Sequence, residues 1–102
     1  MQNKPLINYF SATWCMPCKA LSPLLEGFMT NYPDIEFVKH VVDISEDAMK
    51  LAEDYDVKGV PRLIGLSGGD ILILEDSPTI ANLTMFVEEL RRMNAPASSV
   101  QS

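Results

Sequence analysis

Trp14-Cys15-Met16-Pro17-Cys18-Lys19 holds both cysteines of this 102-residue chain, with two residues between them. A thiol pair at that spacing either closes and opens a disulfide or gives a metal two of its ligands. The flanks favour the disulfide. Ahead of the pair, Leu6-Ile7-Asn8-Tyr9-Phe10 is an apolar, aromatic run just past Pro5 and predicts a β-strand. Behind it, Cys18, Leu21, Leu25, Phe28 and Tyr32 recur three and four apart, the pattern of an amphipathic helix. The cysteines therefore fall where a strand hands over to a helix. Unpaired backbone N–H groups and aligned peptide dipoles make a helix start electropositive, which favours thiolate over thiol. Cys15 takes that tip and Cys18 heads the apolar stripe, so the first sulfur is expected to be presented and the second shielded. Within one helical turn their Cβ atoms lie about 5–6 Å apart, close enough to bridge after a small adjustment.

A structural zinc needs about four ligands. The one other soft candidate is His40, expected as a solvated strand residue, so no metal site is expected. The six methionines are expected in packing, except Met16, whose place between the cysteines should leave it partly exposed. A net charge of −6, with no basic stretch interleaved with aromatics, argues against nonspecific nucleic-acid binding and against an anionic membrane surface. Met1-Gln2-Asn3-Lys4-Pro5 leads into the strand without an apolar leader, and no run is long enough to span a membrane. A cytoplasmic monomer is expected. Two cysteines so close in sequence cannot staple a secreted miniprotein.

The length suits a single domain, residues 1–94, followed by a polar, disordered tail, residues 95–102. The first strand is expected over residues 6–12 and the first helix over 15–32, bent at Pro23 and stopped by Pro33-Asp34. A second strand follows at 35–43. Ser45 then caps a helix to about Tyr55, with Glu46 and Asp47 in its first turn. Strands at 62–66 and 71–74 flank the hairpin signal Ser67-Gly68-Gly69-Asp70. Ser77-Pro78 reads as the start of a last helix, with Ile80, Leu83, Phe86, Val87, Leu90 and Met93 as its apolar stripe. A βαβ unit makes the first two strands parallel, and the glycine hairpin makes the last two antiparallel.

The six residues at the centre resemble the active-site motif of the thioredoxin family, usually W-C-G-P-C-K. Gly59-Val60-Pro61 resembles the segment where that family sets a cis-proline against the cysteines, and Pro23 and Lys39 also stand at family positions. The similarity runs over residues 6–90. It implies an α/β, thioredoxin-like fold: a central four-stranded mixed sheet, βαβ then ββα, with helices on both faces. Thioredoxins usually add a strand and helix in front, for which this chain has no room. The second strand would then lie at an edge, where Lys39, His40 and Asp43 would discourage edge-to-edge pairing. For function, the resemblance implies a thiol-disulfide oxidoreductase, a protein-disulfide reductase in which Cys15 attacks a partner's disulfide and Cys18 resolves the mixed disulfide. Trp14 and Met16 would form an apolar rim, and the backbone of Val60, beside Pro61, would pair with an extended substrate strand. Pro17 would stiffen the turn, as in the family's reducing members. No cofactor would be held; electrons would come from an NADPH-dependent thioredoxin reductase.

Tyr9, Ser11, Arg62 and Asp76 depart from the pattern, where thioredoxins tend to have Asp, Trp, Thr and Gly. Tyr9 matters most, since the family's aspartate lies under the resolving cysteine and helps take its proton. A phenol does not do that near neutrality, as it ionises only around pH 10 in water. Resolution is expected to be the slower step, with Lys39 compensating in part and Tyr9→Asp speeding it. Arg62 brings in a second reading, a glutaredoxin-like enzyme that uses glutathione. A third is an interaction subunit of a larger complex in which Trp14, Met16, Val60 and Pro61 are a docking patch.

Overall fold

The computed structural model describes residues 4–94; the tail, residues 95–102, lies outside the described residues. In chain order the elements are β1 (Leu6–Ser11), α1 (Met16–Met29), β2 (Glu36–Val41), α2 (Glu46–Asp54), β3 (Arg62–Ser67), β4 (Asp70–Ile73) and α3 (Ile80–Asn94). The sheet order is β2-β1-β3-β4. β1 runs parallel to β2 and antiparallel to β3, and β3 is antiparallel to β4.

Successive side chains of a strand point to opposite faces, and β1 accordingly splits the core in two. Ile7 and Tyr9 join Leu63 of β3 in a cluster with Leu21, Leu25 and Met29 of α1 and Leu83, Phe86, Val87 and Leu90 of α3. Phe10 joins Ile64 of β3 on the other face, covered by Leu51 and Ala52 of α2 and by Tyr55 at its C-terminal end. This is the mixed four-stranded sheet with helices on both faces, and β2 is an edge strand as expected.

Gly65 of β3 lies directly under Leu90 and Phe86 of α3. A Cβ there would lie 2.9 Å from Leu90 Cδ1 and 3.3 Å from Phe86 Cζ. Leu90 is fully buried and has little room to yield. Gly65→Val is therefore expected to cost about 1–3 kcal/mol through overpacking. Urea denaturation would show it, and an unchanged midpoint would mean that α3 is free to shift.

The hairpin reads as expected: Gly68 (φ +57°) and Gly69 (φ +98°) occupy the two positive-φ positions between paired Ser67 and Asp70. The larger differences from the sequence reading are at the end of α1, the start of α3 and both ends of β2. α1 ends at Met29 because Thr30, Asn31 and Tyr32 donate their N–H groups three residues back, to Gly27, Phe28 and Met29, in tighter turns. Met29 is buried, while Phe28 and Tyr32 are half-buried and pack against each other. α3 does not start at Ser77-Pro78. Thr79 caps it, its Oγ1 accepting from the Asn82 N–H at 3.1 Å, while the Ser77 carbonyl takes the Asn82 Nδ2 at 2.7 Å. β2 is shorter at both ends than expected, although Ile35 just before it is buried. Pro23 lies inside α1, which runs through it unbroken.

His40 is half-buried rather than solvated. Its Nε2 lies 2.8 Å from the Oδ1 of buried Asn8, and its ring stacks on Phe10 with centroids 5.1 Å apart. Burial pushes the imidazole below its ordinary value. The unfolded chain then binds a proton that the folded one resists, so stability rises with pH in that range. It is expected to be full above about pH 6.5, the unfolded imidazole value, and to fall as the pH drops through it. Comparing urea midpoints at pH 7.5 and 5.5 for wild type and His40→Gln checks this, since the variant should lose that part of the slope. An identical slope in both proteins would place the pH dependence elsewhere.

Candidate functional site

β1 delivers the chain into a short turn, Ala12-Thr13-Trp14, that ends on Cys15. The Cys15 N–H closes the turn on the Ala12 carbonyl at 3.2 Å. Cys15 is the N-cap of α1, and its extended backbone (φ −84°, ψ +105°) lies just outside the helix. Its Sγ accepts the Cys18 N–H at 3.2 Å, and its carbonyl takes the Lys19 N–H at the same distance. Pro17 sits in the first turn, where a missing N–H costs the helix nothing. Cys15 and Cys18 are joined in a disulfide, their Cα atoms 5.2 Å apart.

In this oxidised state the expected division into one presented and one shielded sulfur is absent. Cys15 is 3 % exposed and Cys18 1 %. The closed bridge tucks both against Ala12, with half-buried Val42 and Val60 alongside. Their neighbours in the motif stand outside instead, Trp14 at 67 % and Met16 at 69 %. The chemical asymmetry survives, because Cys15 is the residue at the helix tip whose sulfur receives a backbone N–H. On reduction, iodoacetamide at mildly acidic pH should label Cys15 ahead of Cys18. Peptide mapping that found equal labelling would remove the distinction between them.

Val60 and Pro61 are half-buried, and the peptide bond between them is cis. Val60 packs against the cysteine pair. A shallow groove of about 170 Å³ runs between Trp14 and Val60, floored by Val42, Ala52 and Val57. Arg62 opens β3 directly after Pro61 and is half-buried. Lys39 is exposed on β2, opposite Tyr9 in the parallel register.

Tyr9 is fully buried beneath the first turn of α1. Its hydroxyl donates to the Cys18 carbonyl at 3.4 Å and lies 3.0 Å from Ser22 Oγ. Ser22 Oγ in turn donates to the same carbonyl at 2.8 Å. The phenol thus reaches the backbone of Cys18 and not its sulfur. Sequence reasoning missed Ser22, although a serine one turn after Cys18 is placed to bond back to a carbonyl four residues earlier. It also missed what Asp43 does. That carboxylate takes both the N–H (3.0 Å) and the hydroxyl of Thr13, so it ties the turn before Cys15 to the end of β2. The Thr13 hydroxyl holds its carboxyl below the usual range.

A family model described as thioredoxin matches residues 1–89. The chain belongs to the thioredoxin family. It is 44 % identical over 69 residues to thioredoxin-1 of Caenorhabditis elegans, covering 68 % of this chain and 57 % of that protein. It is 38 % identical over 80 residues to the mitochondrial thioredoxin-3 of Saccharomyces cerevisiae, covering 76 % and 61 %. The chain thus spans less than two thirds of the length of these relatives. The oxidised crystal structure of the same yeast protein superposes with a TM-score of 0.64 at 33 % identity, over 89 % of this chain and 80 % of that one. The family's fold is therefore present in this chain, including the cysteine pair at the tip of α1. No helix among the described residues is long and apolar enough to cross a membrane.

Proposed function

We propose that this chain is a thiol-disulfide oxidoreductase that reduces protein disulfides. The observation that carries the reading is the Cys15–Cys18 disulfide, closed at the N-terminus of α1 and bordered by exposed Trp14 and Met16. In the reduced protein the Cys15 thiolate attacks one sulfur of a partner's disulfide. The partner's other sulfur leaves as a thiolate, and a mixed disulfide remains. Cys18 loses its proton and attacks Cys15 Sγ, which releases the second partner sulfur and restores the internal bridge. Two electrons pass to the partner and two thiols become one disulfide.

Trp14 and Met16 supply the apolar rim, and the Trp14–Val60 groove accepts a partner segment whose backbone pairs beside Val60 and Pro61. The cycle uses no bound cofactor; an NADPH-dependent thioredoxin reductase reopens the Cys15–Cys18 bridge. The protein works as a monomer in the cytoplasm on disulfide-bearing proteins. The test is insulin-disulfide reduction coupled to NADPH oxidation through a thioredoxin reductase, run beside an assay with glutathione alone. Turnover only in the first supports the reading. Turnover only with glutathione would move the chain to glutaredoxin-like chemistry, and none in either would leave an interaction subunit.

A further inference from the structure

A cleft of about 430 Å³ opens beside the cysteine pair, and it shares no residue with the Trp14–Val60 groove. Cys18 is in its wall, together with Lys19 and Ser22 of α1, Lys39 of β2, and Ser11 and Thr13 at the end of β1. Its polar groups are thus the ammonium groups of the two lysines and three hydroxyls, of which Thr13 donates to Asp43 and Ser22 to the Cys18 carbonyl. The carboxylate nearest in sequence, Asp43, is turned to Thr13. Under Cys18 lie the hydroxyls of Tyr9 and Ser22, both directed at the Cys18 carbonyl.

Resolution of a mixed disulfide requires the Cys18 thiol to give up a proton, and a thiol in water does so only near pH 8.5. Neither an ammonium nor an aliphatic hydroxyl accepts a proton near neutrality. The cleft therefore offers room, two positive charges and the Ser11 hydroxyl beside Cys18, and its lining side chains include no base that works near neutrality. We propose that it binds a small oxyanion of the phosphate class between Lys19 and Lys39, and that this ion is the general base for Cys18. A phosphate monoester loses its last proton near pH 6, so its dianion is present at neutral pH and can accept another. The proton passes from Cys18 Sγ to a phosphate oxygen. The Cys18 thiolate then attacks Cys15 Sγ, the bond from Cys15 to the partner breaks, and the partner leaves as a thiolate. The charges of Lys19 and Lys39 hold the dianion and favour the thiolate as it forms. This step rests on the reductase reading above.

Inorganic phosphate is the probe, and sulfate is its control: equal in shape and charge but not a base near neutrality. The first measurement is a titration of the oxidised wild-type protein with each ion at constant ionic strength, followed by amide chemical shifts. Saturable shifts around Lys19, Ser22 and Lys39 are expected for both ions, and should be lost in Lys19→Gln/Lys39→Gln. The second is a single-turnover reaction of reduced protein with a disulfide peptide, quenched in acid, reading the decay of the mixed disulfide. In phosphate the decay should rise to a plateau at least about tenfold above its value in chloride. Sulfate should not accelerate it and should suppress the effect of phosphate. In the double variant, any dependence on phosphate should be weak and linear.

Shifts that do not saturate, or that persist in the double variant, would overturn the site. Saturable binding with an unchanged decay rate, or equal acceleration by sulfate, would overturn the role as base. Failure to form a mixed disulfide at all would overturn the reductase reading and that role together, while the titration would still decide whether the cleft binds the ion. Circular dichroism of Lys19→Gln/Lys39→Gln, matched to wild type, separates a lost site from a lost fold.

Discussion

Cys15→Ser should reduce protein-disulfide turnover by at least about 10³-fold, as removing a nucleophile from a unit that acts in concert does. Serine keeps the N-cap, since its oxygen accepts the Cys18 N–H as the sulfur does, so the helix start and the fold should persist. Cys18→Ser should behave differently. Its first attack is intact, so it should consume one equivalent of a disulfide substrate and stop there. The two variants therefore separate by stoichiometry under single-turnover conditions: no adduct for Cys15→Ser, one adduct for Cys18→Ser. The same zero or the same burst from both would mean that the cysteines do not divide the labour as α1 arranges them. The assay should include thermal melts, because both variants lose the internal bridge.

The second large effect is structural and falls on Tyr9. Its ring is fully buried between β1 and α1 in the larger core cluster, stacked at 6.1 Å from Phe37. Removing a buried aromatic side chain costs about 3–5 kcal/mol, a large share of a stability typically of about 5–15 kcal/mol. Tyr9→Ala should therefore be close to unfolded under mild denaturant. Tyr9→Phe keeps the ring and loses the hydroxyl that spans the Cys18 carbonyl and Ser22 Oγ. That loss should cost only about 1 kcal/mol, because Ser22 still donates to the carbonyl. Urea titrations of the two variants check the ordering; a Tyr9→Phe loss as large as that of Tyr9→Ala would make the hydroxyl, not the ring, the main contributor. Tyr9→Asp, which the sequence suggests as a faster resolver, loses the same ring and adds a carboxylate to a buried site. Its resolution rate is informative only where the protein is shown to be folded.

Most of the architecture was legible because each element carried its own local signal. Gly68-Gly69 announced the hairpin, Ser45 with Glu46 and Asp47 announced α2, and the three-and-four spacing behind Cys18 announced α1. Those signals act over a few residues, and what they missed acts over many. Asp43 holds Thr13 across 30 positions, and His40 meets Asn8 across 32. Both contacts follow from the parallel pairing of β1 with β2, whose register no local pattern states. The start of α3 was misplaced because Ser77-Pro78 is a strong local signal two residues too early, whereas the hydroxyl that takes a first-turn N–H, that of Asn82, belongs to Thr79. At the site, the motif located both cysteines. It did not show that closing the bridge would bury Cys15 as deeply as Cys18, because that burial comes from Ala12, Val42 and Val60, which lie in three separate parts of the chain.

The most direct test of the account is to locate the bond between this protein and a substrate. Cys18→Ser would be mixed with a disulfide-bearing protein, quenched in acid, digested without reductant and mapped by mass spectrometry. A single cross-link from Cys15 to a substrate cysteine, released by dithiothreitol, is the expected result. Absence of any covalent complex, with the substrate disulfide intact, would contradict the claim that the helix-tip cysteine is the attacking group.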